Sequence, residues 1–371
     1  MAWRWRLMAA GGLLGMAGLA AVLAATVCLT SGCSTLGFYA QAAGGHVDLM
    51  QRARPVAKVL ADPATPPARR ERLELSQLMR AFAVAELGLP DSGSYQRYAE
   101  LGRDAVVWNV VAAPELSLTL KTWCFPVMGC VGYRGYFDRA GADEMAAQLR
   151  AEGWEVSVYG VPAYSTLGWS NWLGGDPLLS TFIDWPEADL ARLIFHELTH
   201  QVVYATDDTT FNESFAVAVE RIGGRRWLAR HGSDALREQS LASERRRDEF
   251  RAFTMRWRGE LEAIYTAAAA DDVKRERKTA AMVRMRAEYA ALKAERLSGW
   301  AGYDGWFARA NNPAFGVMAA YNELVPGFEA LFVQCGSDFG RFYGQVRELA
   351  ARPPAARRAA LAASGTGPIC R

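Results

Sequence analysis

The chain has 371 residues, of which 51% are hydrophobic and 22% charged, with 42 lysines and arginines against 40 acids for a formal net charge of +2. That balance excludes a disordered, collagenous or polytopic membrane protein, and it offers no basic surplus for nucleic acid. A chain of this length can bury one large core or two smaller ones.

The first 32 residues, together with Cys33 after them, differ from the rest. "MAWRWRLMAAGGLLGMAGLAAVLAATVCLTSGC" carries two arginines, no acid and a long apolar run, the layout of a bacterial signal peptide. Its last four residues, "TSGC", resemble the lipobox of bacterial lipoproteins, with Thr30 where leucine is usual. Cys33 is therefore the expected acylation site; an uncleaved transmembrane anchor and ordinary secretion are the alternatives. Acyl chains on Cys33 would hold the domain to a membrane by buried methylenes. Ser34 is not the aspartate that often retains such proteins at the inner membrane, so the expected location is the bacterial envelope, facing the periplasm, on the outer membrane. Loss of Arg4 and Arg6 with the leader brings the formal charge to 0.

Beyond the leader, residues 46–60 and 70–87 read as helices, the second with Leu73, Leu75, Leu78, Met79 and Phe82 near a 3.6-residue spacing. Residues 105–137 are rich in β-branched and aromatic residues interrupted by Pro and Gly, which predicts three strands in a meander. A helix over 140–151 and a strand in "WEVSVYGVPAY" follow, giving a small, mostly antiparallel sheet. From Glu187 onward the pattern is helical. Residues 234–298 form a charge-laced stretch broken near "AAAADD", the pattern of a long helical hairpin whose charges face solvent. The fold class is α+β, divided into 1–32 as leader, 33–104 as a helical region, 105–232 as sheet plus the helices of the candidate site, 233–300 as the hairpin and 301–371 as a helical C-terminal region.

With Cys28 in the leader and Cys33 acylated, Cys124, Cys130, Cys335 and Cys370 remain. Export to an oxidising compartment favours two disulfides. The short Pro/Gly turn "CFPVMGC" pairs Cys124 with Cys130, which leaves Cys335 for Cys370. A cysteine zinc site competes, but neither pair has the tight spacing of a zinc knuckle.

The stretch "LIFHELTHQVV", Leu193 to Val203, carries the chemistry. Residues i and i+4 of a helix share a face, so His196 and His200 can aim both imidazoles at one ion while Glu197 flanks it. The flanks are apolar or uncharged, so the helix is expected to be buried, and buried imidazoles beside a carboxylate need a partner. A metal ion supplies one; a core helix with hydrogen-bonded histidines is the other reading.

Catalytic zinc has three protein ligands and an open fourth position. "HELTHQVVYATDD" lacks the glycine and histidine of HExxHxxGxxH, so a carboxylate must serve as third ligand. Glu213, in "TTFNESFAVAVE", lies thirteen positions after His200, room for a reversal into an antiparallel helix. Thr210 and Glu213 also have capping-box spacing, which would make Glu213 a cap instead. Glu220 and His231 are fallback ligands.

"HELTH" followed by "FNESFAVAVE" resembles the HExxH plus NExxA signature of gluzincin metallopeptidases such as the aminopeptidase N group, with a shorter connector here. Most of the mature chain is similar to a family of bacterial lipoproteins predicted to be zinc aminopeptidases. The lipobox, "CFPVMGCVGYRGYFD", "AYSTLGWSNWLGGDPLLSTF", "FHELTHQ", "FNESFAVAVE" and "NNPAFGVMAAYNELVPGFEALF" carry this resemblance. It implies a zincin-like fold, zinc as cofactor and peptides as substrates. It also implies that an edge strand holds the substrate backbone over the metal. "AYSTLGW" resembles that strand, making Tyr164, Ser165, Thr166, Leu167 and Gly168 candidate substrate contacts, with a structural loop as the alternative.

Zinc on His196, His200 and Glu213 would activate water, with Glu197 as general base. Tyrosine often stabilises the oxyanion beside zinc. Tyr321 is the first candidate and Tyr303 the second, although Phe315, Met318, Tyr321 and Leu324 also form an apolar helical stripe. The expected activity is removal of N-terminal residues from peptides at the cell envelope. A metallo-endopeptidase and a non-catalytic zinc lipoprotein are the alternatives.

Overall fold

The computed structural model describes residues 33–125, 129–163, 175–363 and 370. They fall into two units, one ending at Gln51 and one starting at Arg52. The first contains most of helix α1 (Cys33–Arg52); the expected leader and the side chain of Cys33 lie outside the described residues. Among the described residues, no helix is long and apolar enough to cross a membrane. The single helix expected over 46–60 is interrupted. Pro55 has no N–H and steers Arg54 away from helical angles, so the chain passes through β1 (Arg54–Pro55) before α2 (Val56–Ala61).

The second unit is mostly helical, with three small sheets. After α3 (Pro67–Leu87), strand β2 (Arg97–Ala99) pairs antiparallel with β1 and parallel with β8 (Leu178–Leu179). β3 (Val107–Ala113) is the centre of the largest sheet, with antiparallel partners on both sides: β6 (Arg134–Tyr136) and β7 (Glu155–Val161). β4 (Trp123–Phe125) and β5 (Gly129–Val131) form a separate hairpin. Residues 105–137 are thus no continuous meander. Pro114 ends β3, and the following segment crosses to α10 (Asn312–Asn322), where a Cβ on Gly316 would meet Leu120 Cδ2 at 2.6 Å and Leu118 O at 2.9 Å.

Helix α4 (Arg139–Ala151) covers the sheet before β7. Its N-cap Asp138 accepts from the Gly141 N–H, and its buried Ala142, Ala146 and Leu149 form one face. The remainder is helical: α5 (Glu187–Thr199), α6 (Thr209–His231), α7 (Asp234–Thr266), α8 (Asp271–Glu295), α9 (Asp304–Arg309), α10, α11 (Val325–Gln334), α12 (Phe339–Ala350) and α13 (Pro354–Ala363). α7 and α8 turn at residues 267–270 and share a core of Phe253, Trp257, Leu261, Met282, Met285 and Tyr289.

Two asparagines tie α10 to this frame. Asn311 caps α10 by accepting from the Ala314 N–H and also accepts from Ser157 of β7 at 2.7 Å. Asn312, fully buried, donates to the carbonyls of Pro114 and Glu115 and accepts from the Tyr265 hydroxyl of α7 at 2.7 Å.

α5 and α6 run antiparallel, as the pairs His196–Glu213, Arg192–Glu220 and Glu187–Trp227 show. Their closeness depends on Gly223, where a Cβ would come within 2.9 Å of Phe195 and 2.6 Å of Leu87. Both helices bury apolar side chains, Ile194, Phe195 and Leu198 from one and Phe211, Phe215 and Val219 from the other. Burial of each such side chain stabilises by about 1.5–3 kcal/mol.

Candidate metal centre

The helix pair sets the geometry of the site. His196 lies in the last turn of α5 and His200 is its C-terminal cap. Glu213 lies inside the second turn of α6, whose N-cap is Asp208, accepting from the Phe211 N–H at 3.0 Å. Asp208 therefore does the capping, and Glu213 points elsewhere. The connector is fixed by Asn212, which is buried and exchanges two 2.8 Å hydrogen bonds with the backbone of Ala205. It is also held by the β4–β5 hairpin, where the Cys130 N–H donates to Asp207 Oδ1 at 2.5 Å.

Three ligand atoms converge. His196 Nε2 and His200 Nε2 are 3.2 Å apart, and Glu213 Oε2 lies 3.3 Å from the first and 3.7 Å from the second. Donors about 2.0–2.1 Å from a tetrahedral centre stand roughly 3.3 Å apart, so the three edges fit one ion. Among the described residues, His200 Nδ1 is buried without a hydrogen-bond partner, and Glu213 Oε2 is buried with only the two imidazole nitrogens at 3.3 and 3.7 Å beside it, a state that buried polar atoms rarely keep. These three side chains form a group able to hold a metal ion.

The charges agree with the geometry. Burial lowers the His200 pKa to about 4, which keeps its ring neutral and able to ligate. Burial works against the Glu213 carboxylate, but His200, His196 and a hydrogen bond from Tyr321 outweigh it and lower its pKa. For His196, burial disfavours the charged form, yet hydrogen bonds to Glu213 and Glu220 overcome it and raise the pKa well above the usual value. The carboxylates thus draw positive charge to this point, which a proton or a metal cation can supply.

Behind the ligands, His196 Nδ1 meets Glu220 Oε2 at 3.0 Å, and Glu220 Oε1 accepts from Arg192 at 2.6 Å. A carboxylate on Nδ1 fixes the tautomer that leaves Nε2 free to ligate. Glu220, the first fallback ligand, is therefore a positioning residue. His231, the second, lies away from the centre at the exposed end of α6, its ring stacked on Trp227 with centroids 4.2 Å apart.

The family comparison points the same way. The model of the family described as "Putative aminopeptidase" matches residues 37–361. The chain belongs to that family. No curated protein matches the chain, and no solved structure does.

In this aminopeptidase-family chain, Glu197 lies beside the ligands. Burial, then the neighbouring carboxylates Glu213, Asp176 and Glu220, push its pKa up to about 7 against the opposing pull of His196. Tyr321, on α10, is brought over α6 where Ser214 donates to the Ala320 carbonyl and accepts from the Leu324 N–H. Its ring stacks on His196 with centroids 6.2 Å apart, and its hydroxyl reaches Glu213. Tyr303 instead stacks on Phe250 of α7, centroids 4.0 Å apart. Tyr164, Ser165, Thr166, Leu167 and Gly168 lie outside the described residues. Disulfides join Cys124 to Cys130 and Cys335 to Cys370.

Other residues at the centre had weak sequence signals. Arg192, His196 and His200 fall at i, i+4 and i+8 on α5, facing Glu213 and Glu220 at i and i+7 on α6. That pair of facing stripes was the available clue to Arg192 and to the true role of Glu220. Tyr133, Tyr159 and Tyr204, whose pKa values are raised by burial first and then by the nearby Glu213 charge, come from three separate segments and left no spacing to detect.

Proposed function

We propose that the chain is a zinc-dependent peptidase that removes N-terminal residues from peptides. The observation that carries this reading is the convergence of His196 Nε2, His200 Nε2 and Glu213 Oε2 within 3.2–3.7 Å, with Glu197 beside them on the same helix. A two-histidine, one-carboxylate donor set is one that catalytic zinc uses, and the α+β frame around it is read as zincin-like. When bound, zinc supplies Lewis acidity, acidifying the attacking water and polarising the scissile carbonyl.

The chain's own residues do the rest. Glu197, with a pKa near neutrality, takes the proton of the attacking water and passes it to the leaving amine. Tyr321 keeps its proton, because burial and the Glu213 charge raise its pKa, and so can donate to the developing oxyanion. Glu220 and Arg192 hold the His196 ring in its ligating orientation. Acylation of Cys33 would place the domain on the periplasmic face of the bacterial envelope, at the outer membrane.

The test is metal analysis together with hydrolysis. The full chain is expected to hold about one zinc. Glu213→Ala should lose the metal, whereas Glu197→Gln should keep it and lose about 10²–10⁴-fold in kcat. Full zinc occupancy in Glu213→Ala would remove Glu213 from the ligand set. Cleavage of amino-acid arylamides, with no cleavage of an N-blocked quenched peptide, is the expected specificity. The reverse result identifies an endopeptidase, and zinc binding with neither activity a non-catalytic role.

A further inference from the structure

Behind the metal centre, where α5, α6, α7 and α10 meet, lies a cavity of about 310 Å³. A second, of about 500 Å³, shares Arg192, Glu220, Arg247 and Tyr303 with it. Neither is lined by His196, Glu197, His200 or Glu213, although Tyr321 and Glu220, which touch Glu213 and His196, form part of the wall of the smaller one.

Four guanidinium groups line the smaller cavity: Arg192, Arg221, Arg247 and Arg251. Their side chains are only 12–32% exposed, and guanidinium groups that far from water need acceptors. The acids in the wall are already engaged. Glu220 is shared by Arg192 and His196, Asp248 accepts from Arg251, and Glu244 faces Arg225 at 3.5 Å.

Two of the guanidiniums are left short of partners. Arg221 approaches Glu329 at 3.5 Å and Asp248 at 4.0 Å, with no hydrogen bond among the described residues. Arg247 reaches Asp189 with Nη1 at 2.9 Å, but its Nε is buried without a partner among the described residues. Burial, and after it the neighbouring Arg192 charge, lower the Arg247 pKa against the opposing pull of Asp189 and Glu220.

We propose that this cavity binds a small dianion, phosphate or a dicarboxylate, between Arg221 and Arg247. The planar guanidinium fork matches both kinds of oxyanion, and the volume is at the lower end of about 300–1,000 Å³ typical of ligand pockets. Because Arg192 and Glu220 both form part of the same wall, the bound anion would lie beside the ion pair that orients His196.

Calorimetric titration of the full chain, at ionic strength held constant with NaCl, tests the site with two probes, inorganic phosphate and malonate. Saturable one-to-one binding of either is expected, and the tighter of the two identifies the oxyanion geometry preferred. Arg221→Gln and Arg247→Gln should each weaken that binding about tenfold or more, with metal content unchanged. Where a variant does not fold, peptide mapping after phenylglyoxal treatment should show Arg221 and Arg247 protected by the bound probe in the unmodified sequence. Binding of neither probe above the chloride background overturns the proposal. So does binding that persists in both variants, or that leaves both arginines open to phenylglyoxal.

Discussion

Two antiparallel helix pairs in this molecule draw on the same charged residues to opposite effect. In the α7–α8 hairpin, Arg256 pairs with Glu288 with side chains 50% and 48% exposed, and Arg296, the C-cap of α8, reaches Glu249 at 61% and 24%. In α5–α6, Arg192 and Glu220 pair at 15% and 17% exposure, and Glu220 passes the contact on to His196. Water and salt screen the first set. The second is shielded, so its partners fix one another's positions and protonation. An arginine–glutamate pair therefore acquires a role from the depth at which the fold places it.

The comparison can be broken in order of effect. The deepest ion pair among the described residues, Arg357 with Asp208, lies at 8% and 4% exposure and holds α13 to the N-cap of α6. Asp208→Ala leaves the guanidinium buried and unpaired, and should cost about 3–5 kcal/mol in urea unfolding, with partial recovery in Asp208→Ala/Arg357→Met. On the proposed zinc reading, Glu220→Ala should weaken zinc binding about 10–100-fold in chelator competition, and Glu220→Gln, which keeps an acceptor for Nδ1, should fall at the lower end. Glu288→Ala, on the hairpin, should change stability by no more than about 1 kcal/mol and leave zinc affinity as it was. Equal zinc affinities in Glu220→Ala and Glu288→Ala would mean that depth confers no special role on the α5–α6 pair.

Much of the site was legible because its spacing is helical. His196 and His200 share a face by i, i+4 geometry, and Glu213 follows a connector short enough to return the chain. The same local logic misled at Thr210, whose spacing to Glu213 mimics a capping box although Asp208 holds the cap. It also treated Glu220 as a spare ligand, since spacing cannot tell which imidazole nitrogen a carboxylate will meet. The strands were legible by composition, but not the excursion of residues 114–122 to α10, which depends on the missing side chain of Gly316. The tyrosines around Glu213 come from distant segments, and only the tertiary fold assembles them.

The bond between Arg357 and Asp208 also bears on the order in which the molecule can be completed. The two residues are 149 positions apart, and at about 5–20 residues per second a ribosome needs roughly 7–30 s to travel from one to the other. During that interval the growing chain already holds both histidines and Glu213, while the helix start next to them still lacks its buried cation. A chain that begins to fold before its C-terminal part is in place therefore has the candidate ligand residues without their final clamp, and a metal ion arriving then would meet a looser cradle than the finished protein offers.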